Sequence, residues 1–247
     1  DYWYDTAREA TALEPVADIG RRAARRALER LGARKLPTRR APVLFVPELA
    51  RGLLGHFVGA IRGGAQYRKS SFLLGAAGEQ IFPSWMSMRE RPHLPRALGS
   101  APFDNDGVAT RERLLVDAGT LQGYVLDAYS ARKLGLVTTG NAGGVHNLEV
   151  EGGAGDFQAM LARLGSGLVV TELMGQGVNG VTGDYSRGAT GFWVEGGELA
   201  HAVHEVTIAG NLRDMYRGIV AVGADTDVRG GIRTGSMLVG EMTIAGE

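Results

Sequence analysis

The chain has 247 residues, 27 Lys and Arg against 27 Asp and Glu, and no cysteine. That length can bury a sizeable core in one large domain or two small ones. The charge balance removes any global pull toward nucleic acid or anionic membranes, and the missing cysteines exclude disulfides and thiolate metal sites.

The start, Asp1-Tyr2-Trp3-Tyr4, carries no methionine and reads as mid-protein sequence. An upstream domain, with any targeting signal, is expected to have been lost. Residues 14–32 predict a helix, because Val16, Ile19, Ala23, Ala27 and Leu31 recur at helical spacing before a stop at Gly32. Arg21, Arg22, Arg25, Arg26 and Arg30 decorate it, and Arg34, Lys35, Arg39 and Arg40 follow. Without an interleaved aromatic platform, a solvated helix face is expected rather than a nucleic-acid patch.

Ala41 to Glu48, closed by prolines, predicts a buried strand, and Leu49 to Ile61 a second helix. Residues 83–107, with Pro83, Pro92, Pro95 and Pro102, predict an irregular loop or cleft cover. From Glu112 the pattern turns to strands. Two are expected around Asp117-Ala118-Gly119-Thr120, a short helix or turn at Ser130–Leu136, a short helix at Asp156–Leu164, and a strand at Gly167–Leu173. A long hairpin should turn at Glu195-Gly196-Gly197-Glu198, and more strands should follow. Glu205–Gly210 (EVTIAG) is echoed as Glu241–Gly246 (EMTIAG), which suggests two hairpins ending alike, with Ile on one face and Thr and Ala on the other. The class is α+β: helices in the first third (about 1–80), then a glycine-rich, mostly antiparallel sheet (about 108–247), within one domain. No apolar run approaches the roughly 18–20 residues that span a bilayer, and no signal peptide is visible.

His56 lies on the second helix and is a metal ligand, a base or a packed histidine. Gly175-Gln176-Gly177-Val178-Asn179-Gly180 matches GxGxxG, but no helical period follows to hold a pyrophosphate. His201 and His204 fall within a strand, where odd spacing sends them to opposite faces. His93 receives no role. A triad of Ser186, His204 and Asp184 is set aside, since nothing around Ser186 resembles a nucleophile elbow. Thr138–Asn147 (TTGNAGGVHN) combines glycines, which admit close backbone approach, with polar Asn141, His146 and Asn147, and is equally a ligand loop or a turn.

TTGNAGGVHN, GQGVN (175–179), TGDYSRG (182–188), TIAGN (207–211) and GSMLVGEMTIAGE (235–247), in this order, resemble the TldD/PmbA family (peptidase U62, modulator of DNA gyrase). The likeness runs through nearly the whole chain and is greatest to the PmbA (TldE) branch. The family's further N-terminal domain has no counterpart here.

The resemblance implies a cytoplasmic bacterial complex of a TldD-type and a PmbA-type subunit that degrades or processes unfolded peptides. Zinc is then held by the TldD subunit, through a His-Glu-x-x-x-His helix and a later cysteine. Anchored on Arg68-Lys69, that motif places its first histidine on Gly55, its glutamate on His56 and its second histidine on Ala60. This chain is therefore expected to bind no zinc of its own and to have no catalytic residues. The expected peptide- or partner-facing residues are Asn141, Gly143, Gly144, His146, Asn147, Gly175, Gly177, Asn179, Asp184 and Arg187. The partner is a TldD-type subunit or a second copy of this chain. The alternatives are a self-sufficient metallopeptidase and a regulatory DNA- or gyrase-binding module.

Overall fold

A computed structural model describes all residues, 1–247. The first helix, α1 (Val16–Glu29), is followed by β1 (Arg39–Phe45), α2 (Pro47–Ala60) and α3 (Gly63–Tyr67). Then come β2 (Met88–Glu90), β3 (Arg113–Asp117), β4 (Thr120–Leu121), α4 (Ala128–Leu134), β5 (Leu148–Val150) and α5 (Phe157–Leu164). The last third holds β6 (Gly167–Met174), β7 (Asp184–Glu195), β8 (Glu198–Asn211), α6 (Leu212–Arg217), β9 (Ile219–Val222), β10 (Ile232–Arg233) and β11 (Met237–Ala245). The expected α+β architecture is present. No helix is long and apolar enough to cross a membrane.

Two sheets organise the chain. In the larger, pairing runs β1-β6-β7-β8-β11 and returns from β11 to β1, so five strands form a partial barrel with β9 added to β11. The smaller has the order β10-β5-β2-β3-β4. Pairing is antiparallel except at β1–β6 and β10–β5. The β1–β6 pair explains the two continuous apolar runs. Val43, Phe45, Leu168 and Val170 face the main core, while Leu44 and Val169 face a second core under α5. Strands buried on both faces lose the polar half of their alternation.

The β7–β8 hairpin turns at Gly196-Gly197, both at positive φ (60° and 83°), the conformation a two-residue hairpin turn demands. The EVTIAG echo has a different meaning from the one expected. The two copies pair with each other: Ile208 lies opposite Ile244, and Thr207 opposite Ala245. Both isoleucines are buried, so the facial alternation holds but the copies are neighbours rather than the ends of separate hairpins.

Three other expectations need correction. The strand expected at 41–48 runs from 39 to 45, because Pro47 opens α2, where its missing N–H costs nothing. The second strand after Asp117 is only Thr120–Leu121. The helix expected over 14–32 runs from Val16 to Glu29; it buries no residue fully, and Val16 and Leu31 are exposed, at 86% and 73%. Its inner face instead alternates small apolar residues with arginines. Arg22 and Arg26 lie over the Trp3 ring at 4.4 and 5.3 Å. Arg26 pairs with Glu48 at 3.5 Å and Arg30 with Glu172 at 2.5 Å.

Candidate functional site

Helix α2 is amphipathic in an unusual way. Ala50, Leu53, Leu54, Phe57 and Val58 enter the core, while the outward side is built from Gly52, Gly55 and Gly59. The core side is fixed by Phe57 packing edge-on against Phe82 at 4.9 Å, and by the buried Tyr216 hydroxyl donating to the Leu53 carbonyl at 3.0 Å. This anchoring turns His56 toward β7, where its ring meets Tyr185 edge-on at 6.2 Å.

A groove of about 440 Å3 opens there, lined by Gly55, His56, Gly59, Ala60, Ser70, Phe72, Gly175, Gln176, Val178, Gly180, Arg187 and Leu212. Five expected residues therefore meet: the overlay positions Gly55, His56 and Ala60, and from far downstream Gly175 and Arg187. His56 is half-buried, and its pKa is lowered below 6.5, first by burial and then by the charge of Arg187. Its imidazole is neutral at pH 7.

The remaining residues of the second glycine loop shape it from within. A side chain on Gly177 would put its Cβ 2.0 Å from the Ser186 carbonyl, so only glycine fits between these backbones. The Asn179 side-chain oxygen accepts from the backbone N–H of Val181 at 2.9 Å and Thr182 at 3.2 Å. Asp184 accepts from the Thr182 hydroxyl at 2.5 Å. The loop runs directly into β7, with no helix after GxGxxG.

The first glycine loop is arranged otherwise. Asn141 and Asn147 are buried, at 4% and 0% exposure, and their amides are already bonded. Asn141 Nδ2 donates to Glu90 Oε1 at 2.6 Å and to the Gly144 carbonyl at 3.0 Å. Asn147 Nδ2 donates to the Arg91 carbonyl at 2.9 Å and Ser100 Oγ at 2.8 Å, and its oxygen accepts from Gly99 N at 3.0 Å. These amide groups hold the loop to the proline-rich segment. The His146 backbone N–H joins them by donating to Glu90 Oε1 at 2.7 Å. Gly143 is exposed and lines a cavity of about 370 Å3 with Gly59, Arg62, Arg68, Asp127 and Asn141. Gly59 is common to both cavities. Gly144 lies beside Arg62, with space for a Cβ 3.5 Å from its guanidinium.

Sequence reasoning missed Ser70, Phe72 and Leu212 in the groove, and Glu90 in the network. Glu90 ends a three-residue strand with no readable period. A larger cavity, about 560 Å3, lies between α1 and residues 225–229. Its charges are paired internally, Arg229 with Asp227 at 2.9 Å and with Glu48 at 3.3 Å, which leaves little for a ligand.

Residues 38–246 match the model of the PmbA/TldA metallopeptidase C-terminal domain. The chain belongs to this family. It is 54% identical over its whole length to Metalloprotease PmbA of Escherichia coli O157:H7, of which it covers 55%. It is 25% identical, over 87% of its length, to a Metalloprotease TldD homolog of Haemophilus influenzae, covering 47% of that protein. A crystal structure described as a putative modulator of DNA gyrase from Bacteroides thetaiotaomicron superposes with a TM-score of 0.94, at 31% identity. That superposition covers 99% of this chain and 55% of the other. The chain thus spans about half the length of the curated relatives it matches.

A metallopeptidase family raises the question of zinc. The overlay positions offer one imidazole, no carboxylate and no thiolate, and nowhere in the chain do three or more His, Asp or Glu side chains gather as a metal site. A catalytic zinc takes about three protein ligands and keeps an open position for water. These residues do not fit it.

Proposed function

We propose that this chain is the PmbA-type (TldE-like) subunit of a two-subunit metallopeptidase of the bacterial cytoplasm, and that it binds unfolded peptide without holding the catalytic zinc. One observation carries this reading: the groove at α2, where the resemblance lays the family's zinc helix, is lined by Gly55, His56 and Ala60. The glutamate that would deprotonate a metal-bound water is replaced there by His56, and the two histidine ligands by Gly55 and Ala60. The much higher identity to the PmbA relative than to the TldD relative supports the branch. In this reading the zinc belongs to a TldD-type partner, and the groove completes a shared chamber. The alternative partner, a second copy of this chain, would leave both halves without a zinc helix. Arg22, Arg26 and Arg30 are engaged with Trp3, Glu48 and Glu172, and Arg21 and Arg25 with Asp18 and Glu29, which disfavours a DNA-binding role.

The test is metal analysis of the purified protein alone and after co-purification with its TldD-type partner. Zinc and peptidase activity are expected to follow the partner. Stoichiometric zinc on the isolated chain, lost in His56→Ala, would overturn the proposal.

A further inference from the structure

The groove at α2 carries positive charge that nothing in the chain balances. None of its lining residues is Asp or Glu. Arg187 forms no ion pair, and its one polar contact is a long bond from Nε to the Met174 carbonyl at 3.4 Å. The cavity beyond Gly59 adds Arg62 and Arg68 against a single carboxylate, Asp127. Asp127 is committed to capping α4: it accepts from Ser130 N at 2.6 Å, and these bonds, with a smaller contribution from Arg62, hold its pKa below the usual range. By contrast, the α1 arginines all find acids. Arg62, Arg68 and Arg187, none of them in an ion pair, thus line two cavities that share Gly59 at the end of α2.

The groove is also open where a peptide backbone would lie. Gly55, Gly59, Gly175 and Gly180 all line it, and a Cβ on any of them would meet nothing within 4 Å. Their lack of side chains is not explained by internal packing, although Gly175 also needs its positive φ of 75°. Ser70 and Gln176 line the same space and have no side-chain partner in the chain. A guanidinium flanked by hydroxyl and amide groups suits a carboxylate, which it can hold through two parallel N–H···O bonds.

We propose that Arg187 binds a carboxylate of the peptide lying in this groove, in the first place its C-terminal carboxylate. The inference rests on the peptide-binding reading above. It makes the subunit a selector of where a peptide end sits, beyond a passive wall of the chamber.

The test is fluorescence anisotropy with an unstructured, N-terminally labelled octapeptide of Gly, Ala, Val and Ser. It is prepared as the free acid, as the C-terminal amide, and as the amide with one internal Glu. The protein is the full chain as purified, with its partner where the two co-purify. The free acid should bind about tenfold or more tighter than the amide, as expected for a charge-assisted bond. That advantage should vanish in Arg187→Gln, survive in part in Arg187→Lys, and shrink with added salt. Recovery of affinity in the internal-Glu amide would show that a side-chain carboxylate serves as well, and supports the assignment. Equal binding of acid and amide, or an advantage that persists in Arg187→Gln, overturns the carboxylate assignment and leaves peptide binding standing. Failure of all three peptides at millimolar concentration overturns both. Thermal melting of both variants verifies that they are folded, and the acid-to-amide ratio in the unmodified protein decides the question without them.

Discussion

His56 shows how position changes the meaning of a residue. On sequence it is a ligand, a base or a packed side chain; in the structure it is a half-buried neutral imidazole between Tyr185 and Arg187. Burial, and then the Arg187 charge, lower its pKa below 6.5, so the unfolded chain takes up this proton more readily than the folded one. Its contribution to stability is therefore complete above about pH 6.5 and is lost as pH falls toward the folded value. Urea unfolding at pH 7.5, 6 and 5 should show a smaller acid-side loss in His56→Gln than in the unmodified protein. Parallel losses would mean that the imidazole is not held neutral.

Helix α2 keeps three glycines where alanine would make a better helix. Glycine in a helix interior costs roughly 0.5–1 kcal/mol relative to alanine. Gly55 is exposed and lies in helical backbone, and a Cβ added there would meet nothing within 4 Å, so no packing argument favours the glycine. Gly55→Ala is expected to stabilise the isolated chain by about that amount in denaturant unfolding, while weakening peptide binding because the methyl enters the groove. A destabilised Gly55→Ala protein would show that the glycine serves the fold instead. Helix α1 makes the complementary point. In sequence its arginines read as a solvated face, yet Arg22, Arg26 and Arg30 cross to Trp3, Glu48 and Glu172, all outside the helix, while Arg21 and Arg25 pair along it.

At the scale of the molecule, one buried carboxylate ties three distant segments together. Glu90 is 2% exposed; it accepts from Asn141 and His146 N, and pairs with Arg113 Nε at 2.7 Å. The Arg113 guanidinium also donates to the Tyr124 carbonyl at 3.0 Å. Removing one member of such a pair leaves the other charge buried, at a typical cost of about 3–5 kcal/mol. Glu90→Ala should lose that much in equilibrium unfolding, whereas a surface carboxylate such as Glu112, exposed in the structure, should lose little. A loss below about 1 kcal/mol for Glu90→Ala would show that the network is dispensable.

Much was legible from local pattern. The α2 helix, the Gly196-Gly197 hairpin turn, the facial alternation of EVTIAG and the family motifs all appear in short windows, because backbone geometry repeats every 2 or 3.6 residues. Only the tertiary structure decided which candidates meet. It brought Gly55, His56 and Ala60 to Gly175 and Arg187, and turned Asn141 and Asn147 inward toward partners some fifty residues earlier in the chain. It also paired the two EVTIAG-like copies and supplied acids to the α1 arginines. The reason is physical. A side chain's period along an element is set by its immediate neighbours, but its contact partner is set by how whole elements pack, and no window of sequence contains both sides of that contact.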